Sequence, residues 1–399
     1  MKKNLLSMAL LSMVMVGAMS SCEKEDDGTG YESEKNELMT SSIESYVDDV
    51  VISTYSSLAT GAMSLYDACY TLDSALTDAN ISAAAAAWVS ARKYWENSEA
   101  FLFGPAGDYA IDPRIDSWPL DQTALDNLLS NSTMMEGFYD EDGNPGGDDA
   151  VAYAGEVLGN TLLGFHAVEY MLFENGAART AASFEAVNAT AGVELAYLLC
   201  IVGDLRNQCI LLECSWAGID EISSAKAEIM EETELARALV YGEVMKSAGE
   251  TGNSLYKSQK SAMSEILNGI ITIVDEVGNT KIQDPIDSGN PFDVESWFSY
   301  NSITDFTDNI KGCQMAYAEI SDYVKSLDAD VDADVQAKFT TAILEIGGAT
   351  GDGDGEGMAA PFRDNVGSGT ATTDQQEAID ACNALMAAVE AADEVVNAQ

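Results

Sequence analysis

Basic charge is what this 399-residue chain has least of: 19 Lys and Arg stand against 67 Asp and Glu, a formal net charge of −48. Nucleic-acid binding draws on Lys and Arg to release counterions, and a surface this acidic repels phosphate. A DNA- or RNA-binding role is excluded. Histidine is scarcer still, with a single example, His166. Chemistry that needs two imidazoles is therefore closed to the chain, which removes the H-E-x-x-H zinc proteases and the inverted H-x-x-E-H form. There is no G-x-S-x-G elbow to pair with His166 as a hydrolase base. The seven cysteines include no C-x-x-C pair, so they do not make a zinc site. Proline is also rare, at 7 residues.

What is present is a chain 47% hydrophobic and 22% charged, which is not the composition of a disordered acidic polymer and is long enough for two cores. Residues 1–21 read as a secretory signal, with Lys2 and Lys3, an apolar stretch from Leu5 to Met19, and small Ser20 and Ser21 before Cys22. The apolar run is shorter than the roughly 20 residues of a spanning helix, and no comparable run follows. A Cys after small residues resembles the lipobox of bacterial lipoproteins. Acylation of Cys22 would anchor the exported chain in the cell envelope, with the outer membrane the expected site. Residues 22–37 read as a polar tether. Its acidic start, Glu23 to Asp27, suits both a plain linker and the export tag of surface-exposed lipoproteins. Cys69, Cys200, Cys209, Cys214, Cys313 and Cys382 mostly sit in apolar helical stretches and read as buried free thiols, with disulfides left open by export.

Beyond the tether the apolar spacing is three-four, the period of an amphipathic helix. From Asn80, read as an N-cap, Ala84, Trp88, Ala91, Trp95, Ser98 and Leu102 mark one seam. Val151, Ala154, Leu158, Thr161, Phe165, Val168 and Leu172 mark another, predicted as one helix. Helices are also expected over residues 41–75 and 184–216, with a short one over 122–130, making a first bundle over 38–216. A second bundle, 217–399, takes helices over 222–248, 258–277, 302–326, 334–346 and 373–397. Irregular segments are expected over 103–121, 140–148, 279–297 and 349–369. The fold class is all-α, as two tandem four-helix bundles. Asp352, Asp354 and Glu356 have the early spacing of a calcium loop, but its twelfth position is Arg363, and the stretch reads as an acidic loop.

The sharpest local feature is Gly164-Phe165-His166-Ala167-Val168-Glu169-Tyr170. Three residues apart on a helix, His166 and Glu169 point to one side. Helical bundles use such a pair to aim metal ligands inward. A histidine satisfied by its own helix and a nearby carboxylate gives the same spacing, and both readings stay open on the residues alone.

Four ordered blocks carry a wider likeness. The first runs from Trp88, Arg92, Trp95 and Glu96 through Glu99, Phe101, Phe103 and Gly104, continuing as Asp112-Pro-Arg114-Ile-Asp116-Ser-Trp118-Pro119-Leu120. The second is Gly164 to Phe173. The third is Glu295-Ser296-Trp297-Phe298-Ser299-Tyr-Asn301-Ser302 with Asp305, Phe306, Asp308 and Asn309, and the fourth is Pro361-Phe362. Together they resemble the imelysin family, whose signature is G-x-H-x-x-E, over about residues 38–399. The resemblance implies two four-helix bundles with the signature site at their interface. The family was first described as an insulin-cleaving outer-membrane protease, and related domains occur in periplasmic iron-uptake components, where the His/Glu pair is taken to bind metal.

On that basis His166 and Glu169 are expected to share a metal with oxygens from Glu99, Asp116 or Asp121 and, across the interface, Asp305. Iron is favoured for the ion; zinc and calcium also suit the mixed donors. Arg114 is expected to pair with a carboxylate or hold an anionic chelate, while Ser296, Ser299 and Asn301 donate hydrogen bonds to a ligand. Three functions follow in order. The first is a metal-binding envelope lipoprotein serving iron uptake, with iron-transport components as partners. The second is a non-catalytic module binding a protein, haem or metal chelate. The third is a peptidase with Glu169 as general base on a metal-bound water.

Overall fold

Apolar residues at three-four spacing build helices that bury one stripe each, and the stripes of this chain meet in one contiguous core. The computed structural model describes residues 29–187, 191–233, 239–353 and 357–398; the signal, Cys22 and the start of the tether lie outside them. Among the described residues the chain is helical, apart from a small antiparallel hairpin of Phe173–Glu174 with Ala177–Ala178. The all-α class stands.

The long helices are α1 (Thr29–Ser45), α2 (Ser53–Ser74), α3 (Asp78–Ser98), α4 (Asp148–Val157), α5 (Gly164–Leu172), α6 (Ala191–Ala217), α7 (Gln259–Asp275), α8 (Ser302–Leu327), α9 (Ala329–Gly347) and α10 (Thr373–Asn397). Helices α2, α3, α4, α5 and α6 pack among themselves, and α7, α8, α9 and α10 form a second group. The groups meet where α3 crosses α8. Trp88 and Trp95 on the α3 seam are fully buried, each adding about 1.5–3 kcal/mol of burial. Helix α6 is apolar enough to cross a bilayer, yet that stretch is wholly buried by its neighbours. It is a core helix. The six cysteines from Cys69 to Cys382 are buried and unpaired.

Several expectations need correction. The tether turns helical at Thr29, since Glu32, Glu34, Lys35 and Glu37 are good helix formers. α1 then continues through a π-helical turn, Tyr46–Ile52, into α2, and it packs on α7 and α8 of the second group. Asn80 is not a cap: Thr77 is, its hydroxyl accepting from the Asn80 N–H at 3.2 Å. The helix expected over 222–248 is two short pieces, Ser224–Glu232 and Tyr241–Lys246. Much of 279–297 is helical, because α7 runs on through a π turn, Glu276–Ile282, to Ser288.

The helix expected over 151–172 is broken between α4 and α5 by a 3-10 turn, Asn160–Leu162. Gly164 sets the break. Its φ is +76°, and an added Cβ would lie 2.1 Å from the Ile115 carbonyl oxygen, so only glycine fits. The restart at Gly164 puts His166 in the first turn of α5. Gly312 lets α8 cross α3 closely, for a Cβ there would lie 2.2 Å from the Asn97 carbonyl oxygen.

Candidate functional site

At the α3–α8 crossing lies a buried cluster of charge. Arg92 and Glu96 lie one turn apart near the end of α3, Glu99 opens the 3-10 turn that follows it, and all three are buried. Arg92 donates to Asp116 Oδ1 and to Glu295 Oε1, the latter at 2.5 Å, and also faces Glu96 Oε1 at 2.5 Å and Asp305 Oδ2 at 3.6 Å. Trp95 Nε1 donates to the other Asp116 oxygen at 2.6 Å, leaving Oδ1 to face inward. Lys281, in the π turn after α7, contacts Glu99 Oε2 at 2.9 Å and Glu295 Oε2 at 3.2 Å. Asn309 on α8 donates to Glu96 Oε2 at 2.6 Å and to Glu99 Oε2 at 2.9 Å.

His166 is 1% exposed. Its Nδ1 lies 3.0 Å from Glu169 Oε2, and its Nε2 lies 3.1 Å from Asp116 Oδ1 and 3.7 Å from Glu295 Oε1. The Trp118 ring closes over it, centroids 4.7 Å apart. Glu169 Oε1 accepts from Phe298 N at 3.1 Å, Ser299 N at 2.8 Å and Ser299 Oγ at 2.7 Å. Both Glu169 oxygens are thereby engaged by groups of the protein, Oε2 with His166 and Oε1 with the Phe298–Ser299 turn.

The turn carrying Glu295 to Asn301 is itself held in place. Ser296 and Tyr300 sit at φ of +51° and +64°, a conformation non-glycine residues hold only where the surroundings impose it. Ser296 Oγ donates to Asp305 Oδ2 at 2.5 Å, Asn301 Nδ2 to Asp305 Oδ1 at 2.6 Å, and Ser302 Oγ to the Glu295 carbonyl at 2.6 Å. From outside, the Arg363 guanidinium stacks on Trp297 and Tyr300, next to buried Phe362.

These contacts order the proton affinities. Burial and Arg92 work to lower the His166 pKa, yet Asp116 and Glu169 raise it well above the usual imidazole value. Burial works to raise Glu295, but Lys281, His166 and Arg92 hold it down at about 2. Asp116 is likewise held well below its ordinary value, against burial, by Arg92 and His166. Burial pushes Glu96 and Glu99 well up and Asp305 up to about 7, against the pull of Lys281 and Arg92.

Outside the cluster a cleft of about 490 Å³ opens on Glu99, Asp116, Lys281 and Glu295. Its remaining acids are Asp112, Glu276, Asp284 and Asp293, between walls of Leu102, Trp118, Pro119 and Pro285. Two sets of donors converge here, Asp116 with His166 and Glu295, and Glu96 with Glu99 and Asp116; within each, the donor atoms lie within 4.8 Å of one another.

The sequence profile of the imelysin family, peptidase M75, matches residues 51–391. The chain belongs to the imelysin family. Iron-regulated protein A of Synechococcus elongatus is 30% identical over 280 residues, which is 70% of this chain and 64% of the relative. The chain thus aligns with less than two thirds of that relative's length. A crystal structure assigned as an iron-regulated protein A precursor from Parabacteroides distasonis superposes with a TM-score of 0.72 at 25% identity, covering 90% of this chain and 95% of that one. An imelysin-like protein from Psychrobacter arcticum 273-4 gives 0.60 at 12% identity, covering 88% and 93%, a likeness of fold.

In this family member the expected site residues divide. His166, Glu169, Glu99, Asp116 and Asp305 all reach the cluster, and Ser296, Ser299 and Asn301 anchor its turn. Their hydrogen bonds go to Asp305 and Glu169. Arg114 pairs with Asp204 on α6, its Nε donating at 2.9 Å. Asp121 caps the helix Gln122–Ser130, accepting from Ala124 N at 2.8 Å. Neither joins His166. The sequence reading left Arg92, Glu96, Lys281, Glu295 and Asn309 without a role. Arg92 carried a usable signal: in a chain so poor in cations, a basic residue on an apolar helical seam calls for a buried carboxylate.

Proposed function

We propose that this family member is a metal-binding protein of the cell envelope that serves iron acquisition, its ion held by Asp116 Oδ1, His166 Nε2 and Glu295 Oε1. The observation that supports this is the convergence of those three atoms beside an acidic cleft. Their separations of 3.1 and 3.7 Å from Nε2 match neighbouring ligands around an ion with bonds of about 2.0–2.2 Å. Glu169 on Nδ1 is the usual support of a ligating imidazole, fixing the tautomer that points Nε2 at the ion. The ion would supply the positive charge that these carboxylates now draw from the protein.

Iron is favoured because two of the relatives described above carry the name iron-regulated; zinc and calcium suit the same mixed donors. The proposal moves Glu169 and Asp305 from ligands to orienting groups, leaves Glu99 to Lys281 and Asn309, and brings in Glu295. Anchoring through Cys22 to the outer membrane, with transport components nearby, belongs to the same reading. Metal content of chelator-stripped protein reloaded with Fe²⁺ or Zn²⁺ is the test. About one ion per chain is expected in wild type and almost none in folded His166→Ala/Glu295→Gln protein. Equal contents in the two would end the proposal.

A further inference from the structure

The three atoms assigned above to the ion are not idle. The Arg92 guanidinium lies on all of them: it donates to Asp116 Oδ1, donates to Glu295 Oε1 at 2.5 Å, and places Nη2 3.5 Å from His166 Nε2. A carboxylate oxygen can accept from the guanidinium and meet an ion at once, but the charge of this guanidinium opposes that of an ion beside the same three atoms. On its other side Arg92 faces Glu96 and Asp305, and there the bonding is unfinished. Arg92 Nε is fully buried with no hydrogen-bond partner, 3.6 Å from Asp305 Oδ2. Glu96 Oε1 is buried 2.5 Å from Nη2, an ion pair that is not aligned as a hydrogen bond. Unsatisfied buried groups are rare in folded proteins and call for a reason. Here the two misaligned groups mark a second arrangement of one side chain, already in contact but not yet hydrogen-bonded.

We propose that Arg92 is a resident counter-cation that exchanges between two sets of carboxylates. Without an ion it bridges Asp116 and Glu295. When an ion arrives it withdraws toward Glu96 and Asp305, where its Nε–H and the Glu96 oxygen gain the bonds they lack. The inference rests on the metal reading above and adds the group that neutralises these carboxylates whenever no ion does. The forward position taxes ion affinity, because the withdrawn state binds the ion better. Lys281 has no such alternative, since its carboxylate neighbours Glu99, Glu295 and Glu96 surround one position, so a single ion per chain is expected.

The test uses the full mature chain and Zn²⁺, followed by calorimetry and by the Arg92 Nε–H resonance, assigned through its loss in Arg92→Met. In wild type, a saturable Zn²⁺ site absent from His166→Ala should move that resonance in step with occupancy, and Asp305→Asn should abolish the movement. Arg92→Met, if folded, should bind Zn²⁺ roughly tenfold tighter. Saturable binding with the Arg92 resonance unmoved overturns the exchange and leaves the metal reading standing. Absence of any His166-dependent binding overturns both.

Discussion

The two buried cations of the cluster, Lys281 and Arg92, are held in different ways. Lys281 is a compact ammonium with Glu99, Glu295 and Glu96 at 2.9, 3.2 and 3.8 Å, and Asn309 donates to Glu99 and Glu96. Around Asp116, His166 and Glu295 sits Arg92, a planar group whose Nε–H is left unmatched. Ammonium can be surrounded by oxygens at one point, whereas a guanidinium must satisfy a fixed fork. The lysine set is therefore committed to one arrangement and the arginine set is not. Charge count alone would not separate them; hydrogen-bond completeness does.

The largest effect expected from breaking this contrast is on Lys281. Lys281→Met strands Glu96, Glu99 and Glu295 without their ammonium, and loss of one partner from a buried ion cluster costs about 3–5 kcal/mol. Urea unfolding at pH 7 should show it as a lowered midpoint; an unchanged midpoint would erase the distinction between the sets. Glu169→Gln comes next. It leaves the His166 Nδ1 proton without its carboxylate and should lower stability by about 1–3 kcal/mol, with ion affinity down roughly 10- to 100-fold by calorimetry.

Asp112 sharpens the comparison at the cleft, where an acid has no adequate counter-charge. Burial, then Asp116, pushes it up to about 6. A carboxyl raised on folding opposes stability as pH rises from its unfolded value through its folded one, because ionisation then favours the unfolded chain. Asp112→Asn should accordingly stabilise the protein by on the order of 1–2 kcal/mol at pH 7 in chelator, and hardly at all at pH 4. Melting temperatures at the two pH values check this, and an equal shift at both would contradict it. Smallest is Ser299→Ala. Glu169 keeps two backbone donors, so a loss of about 1 kcal/mol is expected in chemical denaturation.

Local pattern made parts of this legible. Residues 373–397 carry a full three-four repeat behind a Thr372 cap, and the helix has the predicted ends. The His166–Glu169 pair needs only one turn of helix to meet. Asp121 could also have been read locally, since a carboxylate before Gln122–Ser130 is an ordinary N-cap. The break before Gly164 was not readable, because it answers to the Ile115 carbonyl pressing from a distant segment. Nor was the company of Arg92: Glu295 and Asp305 lie some 200 positions along the chain (203 to Glu295), and no periodicity encodes a crossing.

By itself the amino-acid sequence determined that the chain is helical, strongly acidic and limited to one histidine, and it placed one imidazole above one carboxylate. Those properties follow from composition and from a repeat of 3.6 residues, which each segment carries alone. Tertiary structure decided that Glu169 serves the imidazole, that Glu295 faces it, and that two cations are shut in with the acids. Such choices depend on which helices cross and how closely, and on desolvation that makes every buried charge find a partner.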